Sequence, residues 1–72
     1  MGYYSVLILK RVRNTGHGDA YQPESAYFGE SENMAKVSFY DAVRRAQTMP
    51  DAVYVAVWHD TDELIRVRIE LH

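Results

Sequence analysis

Seventy-two residues, ten acidic against eight basic for a net charge of −2, with 47% apolar and 25% charged side chains, have the composition of an ordinary globular chain rather than a disordered one. With no cysteine the chain has no disulfide framework and no thiolate metal site, and its mild acidity argues against holding a polyanion through charge alone. A domain of this length buries only about 60% of its unfolded surface, which leaves room for one helix over one sheet. The longest apolar run, Val6 to Leu9, is far short of the roughly 20 residues of a membrane span, and no signal-peptide pattern leads the chain; a soluble, cytoplasmic protein is the expectation.

Tyr3 to Arg13 (YYSVLILKRVR) is rich in aromatic and branched residues without Gly or Pro, and predicts a strand. Tyr4, Val6, Ile8 and Val12 form one row; Leu7 and Leu9 make the opposite face apolar as well, which places the strand inside a sheet. We expect it beside the last strand. Asn14 to Gly18 (NTGHG) is a turn by composition. Asp19 to Phe28 is ambiguous: Tyr21, Tyr27 and Phe28 suit an edge strand, and Pro23 excludes a central one. Because a structureless connection from 14 to 37 is long for a compact domain, a short strand hairpinning back on the first is the preferred reading, with Gly29 to Asn33 as polar loop.

Ser38 is the expected N-cap of a helix, with Asp41 three residues on at its positive end. Phe39, Ala42, Val43, Ala46 and Met49 then form one apolar stripe, and Pro50 ends the helix. Ala52 to Leu71 (AVYVAVWHDTDELIRVRIEL) reads as a β-hairpin. Val53, Val55 and Val57 alternate on one strand and Ile65, Val67, Ile69 and Leu71 on the other, giving a core face. Pairing Val57 with Val67, Val55 with Ile69 and Val53 with Leu71 closes a turn around Thr61, Asp62 and Glu63. A two-residue turn on Thr61 and Asp62 sets Val57 against Arg66 and is disfavoured unless a bulge restores the phase. In the preferred register Trp58 faces Arg66, Ala56 faces Arg68 and Tyr54 faces Glu70. The pieces sum to an α+β fold, two layers, with a mainly antiparallel sheet of three to four strands and one helix on one face.

No catalytic or metal pattern emerges. His17, His59 and His72 with Asp19, Asp60 and Asp62 are the acid-base candidates, and their turn, strand-end and terminal positions do not converge on a pocket. Asp60 to Glu63 lacks the Gly and the distant bidentate Glu of a calcium loop. Neither a cofactor nor an enzymatic activity is expected. The chemistry lies in surfaces instead. Tyr54 and Trp58 beside Arg66 and Arg68 read first as a self-satisfied sheet surface, with Trp58 covering the Arg66 stem. The second reading is a protein contact, and the third a stacking face for single-stranded nucleic acid. Between Asp19 and Glu32, Tyr21, Glu24, Tyr27, Glu30 and Glu32 interleave acids with aromatics, a composition suited to engaging a basic protein surface. A homodimer through Leu7 and Leu9 or an edge strand is a further option.

With strand Tyr3 to Arg13, helix Phe39 to Met49 and hairpin Ala52 to Leu71, the chain resembles, in size and layout, small phage-encoded inhibitors of the anti-CRISPR type. The resemblance rests on organisation and carries no residue across. It implies stoichiometric binding to a larger nucleic-acid-handling complex, with direct binding of nucleic acid less favoured and no membrane partner.

Overall fold

In the computed structural model, which describes residues 2–12 and 20–70, the elements run β1 (Tyr4–Val12), β2 (Ala20–Gly29), α1 (Glu32–Ala46), β3 (Ala52–His59) and β4 (Asp62–Arg68). The four strands form one antiparallel sheet in the order β2-β1-β3-β4, and α1 packs on one side of it against β1, β2 and β3. This is the two-layer α+β fold that the apolar periodicities predict. The Asn14–Gly18 turn, Arg13, His17, Asp19, Leu71 and His72 lie outside the described residues.

β1 is interior because its middle is apolar on both faces: Val6 and Ile8 are fully buried under the helix, and Leu7 and Leu9 are half-buried on the far side. Its neighbours are β2 and β3, so the expectation that it borders the last strand is corrected; β4 is an edge strand paired only to β3. The ambiguous stretch from Ala20 to Gly29 is a full ten-residue strand that hairpins back on β1, with Pro23 on the sheet edge where its missing amide costs nothing.

The helix is capped seven residues before the Ser38 expected to cap it. Ser31 is the cap: it has extended backbone, and its hydroxyl accepts the Met34 amide at 3.1 Å. Glu32 supplies the negative charge in the first turn and Arg44 and Arg45 the positive charge in the last. Ser38 lies mid-helix, so Gly29 to Asn33 is a strand end, a bend and the helix start rather than a loop. Phe39, Ala42, Val43 and Ala46 do face the sheet, extended backwards by Ala35, but the helix ends at Ala46 and not at Pro50, so Met49 packs on the core from the turn that follows.

Among the described residues the buried apolar set is Val6, Ile8, Ala35, Ala42, Ala46, Ala52, Val55, Ala56, Val57 and Ile69, and no polar or charged residue is buried. Half of that set is alanine, with Ala35, Ala42, Ala46 and Ala52 on the helix side and Ala56 on the other. Short side chains let the helix lie close to the sheet, so the stabilisation rests on the three largest fully buried residues, Ile8, Val6 and Val55, each worth about 1.5–3 kcal/mol.

Three register irregularities set which side chain faces which side. Val6 pairs Tyr27 and Leu7 pairs Ser25, leaving Ala26 as an extra residue in β2; Leu9 pairs Tyr54 and Lys10 pairs Ala52, leaving Val53 extra in β3; Val57 pairs Ile65 and Trp58 pairs Glu63, leaving Leu64 extra in β4. The hairpin therefore differs from its expected register by two residues. His59 pairs Asp62 across a two-residue Asp60-Thr61 turn, and the Leu64 bulge restores the phase so that Val55 faces Val67 and Val57 faces Ile65. The bulge in β3 turns Ala52 inward, where it joins the core instead of the outer row.

Candidate interaction site

The helix covers one side of the sheet and leaves the other bare. Parity along β1 puts Ser5, Leu7, Leu9 and Arg11 on the bare side, and pairing extends each into a row across the sheet. Phe28, Ser5, Trp58 and Glu63 make one row. Next come Ser25, Leu7, Ala56 and Arg66, then Pro23, Leu9, Tyr54 and Arg68, with Tyr21 beside Arg11 at the end.

The rings on this face touch one another. Tyr3 and Phe28 stack with centroids 5.2 Å apart and planes within 7°, and Phe28 remains 66% exposed. Tyr21 meets Tyr54 edge-on at 5.7 Å, and the Arg66 guanidinium lies 5.2 Å from the Tyr54 ring centre. The cation-π partner of Arg66 is thus Tyr54 and not Trp58. Trp58 faces Glu63, Ala56 faces Arg66 and Tyr54 faces Arg68, which replaces the expected pairs Trp58–Arg66, Ala56–Arg68 and Tyr54–Glu70.

Arg66 is held in a fork. Its Nη2 donates to Glu63 Oε2 at 2.8 Å and its Nε to Glu63 Oε1 and Oε2 at 3.1 and 3.2 Å. The hydrogen bonds that Arg66 donates to Glu63 raise the Arg66 pKa above its already high ordinary value. Arg68 makes no ion pair among the described residues. Among the described strand residues, Arg11, Arg66 and Arg68 share this face with Glu63.

The second group of candidate residues is divided rather than gathered. Tyr21 joins the bare face, but the Ala26 bulge shifts the alternation so that Tyr27 turns to the helix side and packs on the core. Glu24 also points to the helix side, 3.2 Å from Lys10 Nζ and 3.4 Å from Arg45 Nη2. Glu30 is exposed in the bend, and Glu32, in the first helical turn, lies 3.6 Å from Lys36. The Tyr27 hydroxyl accepts the Ser31 amide at 3.2 Å, which makes Tyr27 part of the helix cap.

Sequence reasoning missed Tyr3 and Phe28 as members of the face. Strict alternation groups Phe28 with the even residues of its strand; only the bulge moves it across, and no residue type near Ala26 announces a bulge. His59 stacks on Tyr4 at 4.4 Å, and no group of three or more His, Asp or Glu among the described residues could hold a metal ion. No helix there is long and apolar enough to cross a membrane.

Comparison with protein-family models, with curated proteins and with solved structures gives no match, so the face is interpreted from its own chemistry.

Proposed function

We propose that this chain is a non-enzymatic interaction module that docks a protein partner on its bare sheet face. The observation that carries the reading is the exposed, preorganised aromatic pair Tyr3–Phe28 continuous with Trp58, Leu7, Leu9 and Tyr54. Stacked rings on strands lose little entropy on binding, and aromatic and arginine side chains are the residues that anchor protein interfaces. Following the layout resemblance, the partner is a larger nucleic-acid-handling complex, such as a CRISPR effector, which the chain inhibits or regulates by occupying a surface stoichiometrically.

A second reading, single-stranded nucleic acid stacked on the same rings, draws on the three arginines of this face. Protein is favoured over it because Arg66, the best-placed cation, is already neutralised by Glu63 and packed on Tyr54. The two readings separate in one titration series. A nucleic-acid ligand binds with an affinity that falls steeply with salt and is lost in Arg66→Ala plus Arg68→Ala. A protein ligand gives a complex of defined stoichiometry that is lost in Phe28→Glu and survives nuclease treatment.

A further inference from the structure

On the helix side of the sheet, α1 packs on β1, β2 and β3 and not on β4, and a cleft of about 450 Å³ opens between the helix and that strand. Phe39 and Val43 line it from the helix, and Val67 and Ile69 line it from the opposite side. The lining also has a polar part, made by Gln47, Arg68 and Glu70. A site of this mixed kind suits a side chain that is apolar along its body and polar at its tip. Such a side chain stands on the rim: Tyr40 belongs to the lining, its ring lies 5.7 Å from that of Phe39, and it is 73% exposed. Val37, one turn back on α1, and Ile65, on the same side of β4 as Val67, are 62% and 44% exposed.

The projecting ring and a cleft of matching chemistry lie side by side on one surface, and that arrangement is self-complementary. A two-fold axis passing between them seats Tyr40 of each copy in the cleft of the other and closes the assembly at two. We infer that the chain pairs with a second copy of itself through this surface, by reciprocal insertion of Tyr40. The inserted ring lies among Phe39, Val43, Val67 and Ile69, and its hydroxyl meets the acceptors of Gln47 and Glu70. Arg68 and Glu70 carry opposite charges, so the two rims come together without net like-charge repulsion. The same step covers Val37 and Ile65. A different protein could fill the cleft with a ring of its own, but that contact leaves the exposed Tyr40 beside it unexplained, whereas a second copy accounts for the knob and the hole together. This surface lies across the sheet from the Tyr3–Phe28 face and does not depend on what that face binds.

The test weighs the full chain by sedimentation equilibrium over a dilution series. The parent shows a doubled mass at a chain concentration of about 100 μM and dissociates on dilution. Tyr40→Ala places a better helix former at an exposed helix position, so its circular dichroism stays that of the parent while its dimer weakens by roughly tenfold or more. Tyr40→Phe, which keeps the ring and loses the hydroxyl, falls between the two. Phe28→Glu, across the sheet, dimerises like the parent. A monomer mass throughout the parent series overturns the inference. So does a doubled mass that Tyr40→Ala retains, which assigns the dimer to another surface such as the β4 edge, and so does one that Phe28→Glu abolishes, which assigns it to the bare face.

Discussion

Tyr27, Ser31 and Asp60 hold the ends of elements in place, and each does so by a side-chain hydrogen bond that a single substitution removes. Ser31 satisfies the Met34 amide, and its own amide is taken by the Tyr27 hydroxyl. That phenol crosses Gly29, where an added Cβ would collide with the Tyr27 ring. Ser31→Ala therefore costs about 1 kcal/mol in chemical denaturation. Ser38→Ala, in the helix interior, is neutral or slightly stabilising because alanine is the better helix former. Were the two serines to exchange these effects, the helix would start where the sequence suggests and not where the structure places it. Asp60 holds the hairpin turn at φ 55, its carboxylate accepts the Tyr3 amide at 2.9 Å, and its own amide donates to the Tyr3 carbonyl. Asn is the replacement that retains both the left-handed backbone and a side-chain acceptor. Thermal melts should rank Asp60→Asn above Asp60→Gly, and both above Asp60→Val.

At the scale of elements, the fold was legible where hydrophobic periodicity is unbroken and illegible where a bulge breaks it. The Phe39 to Met49 stripe, the doubly apolar middle of β1 and the Val55, Val57, Val67 and Ile69 part of the hairpin rows are period signals and lie on the faces their periods predict, whereas Val53 leaves its row as a bulge residue, Ile65 stays 44% exposed, and Leu71 lies outside the described residues. Ala26, Val53 and Leu64 are the extra residues of the three bulges, and nothing in their chemistry marks them. Ala26 sends Tyr27 and Tyr21 to opposite sides, Val53 brings Ala52 into the core, and the Asp60-Thr61 turn with the Leu64 bulge moves Arg66 from Trp58 to Ala56, beside Tyr54. The candidate face Tyr54, Trp58, Arg66 and Arg68 was legible because all four share the parity of the bare side, whereas its extension to Tyr3 and Phe28 was not. The start of α1 was hidden for a different reason: Ser31 and Ser38 are both plausible caps, and the polar turn from Glu32 to Lys36 has little apolar signal of its own. If Leu64 acts as a bulge residue alone, its deletion leaves Trp58 opposite Glu63 and Val57 opposite Ile65. The deletion variant should keep a single cooperative melt. Loss of that melt means that the Leu64 side chain, 56% exposed, carries packing that the pairing does not explain.

The whole molecule is a thin object, a sheet with one helix on one side and an alanine-rich layer between them. A chain of this length has a total stability of about 4–11 kcal/mol, and Ile8→Ala alone costs about 2–5 kcal/mol by transfer and cavity terms. That variant should show a large fall in denaturation midpoint. Phe28→Glu, on the bare side at an edge strand, should not. This contrast separates the two sides of the sheet: the helix side stores the stability, and the other side carries Tyr3, Phe28, Leu7, Leu9, Trp58 and Tyr54, which no described helix covers. The most direct measurement is capture on the immobilised chain from a nuclease-treated lysate of its native host, with the parent and Phe28→Glu run in parallel and the recovered species weighed by mass spectrometry. The account predicts a protein recovered in stoichiometric amount by the parent and absent from the variant at an unchanged melting temperature. Equal recovery by the two, or recovery of nothing once nucleic acid is digested, contradicts it.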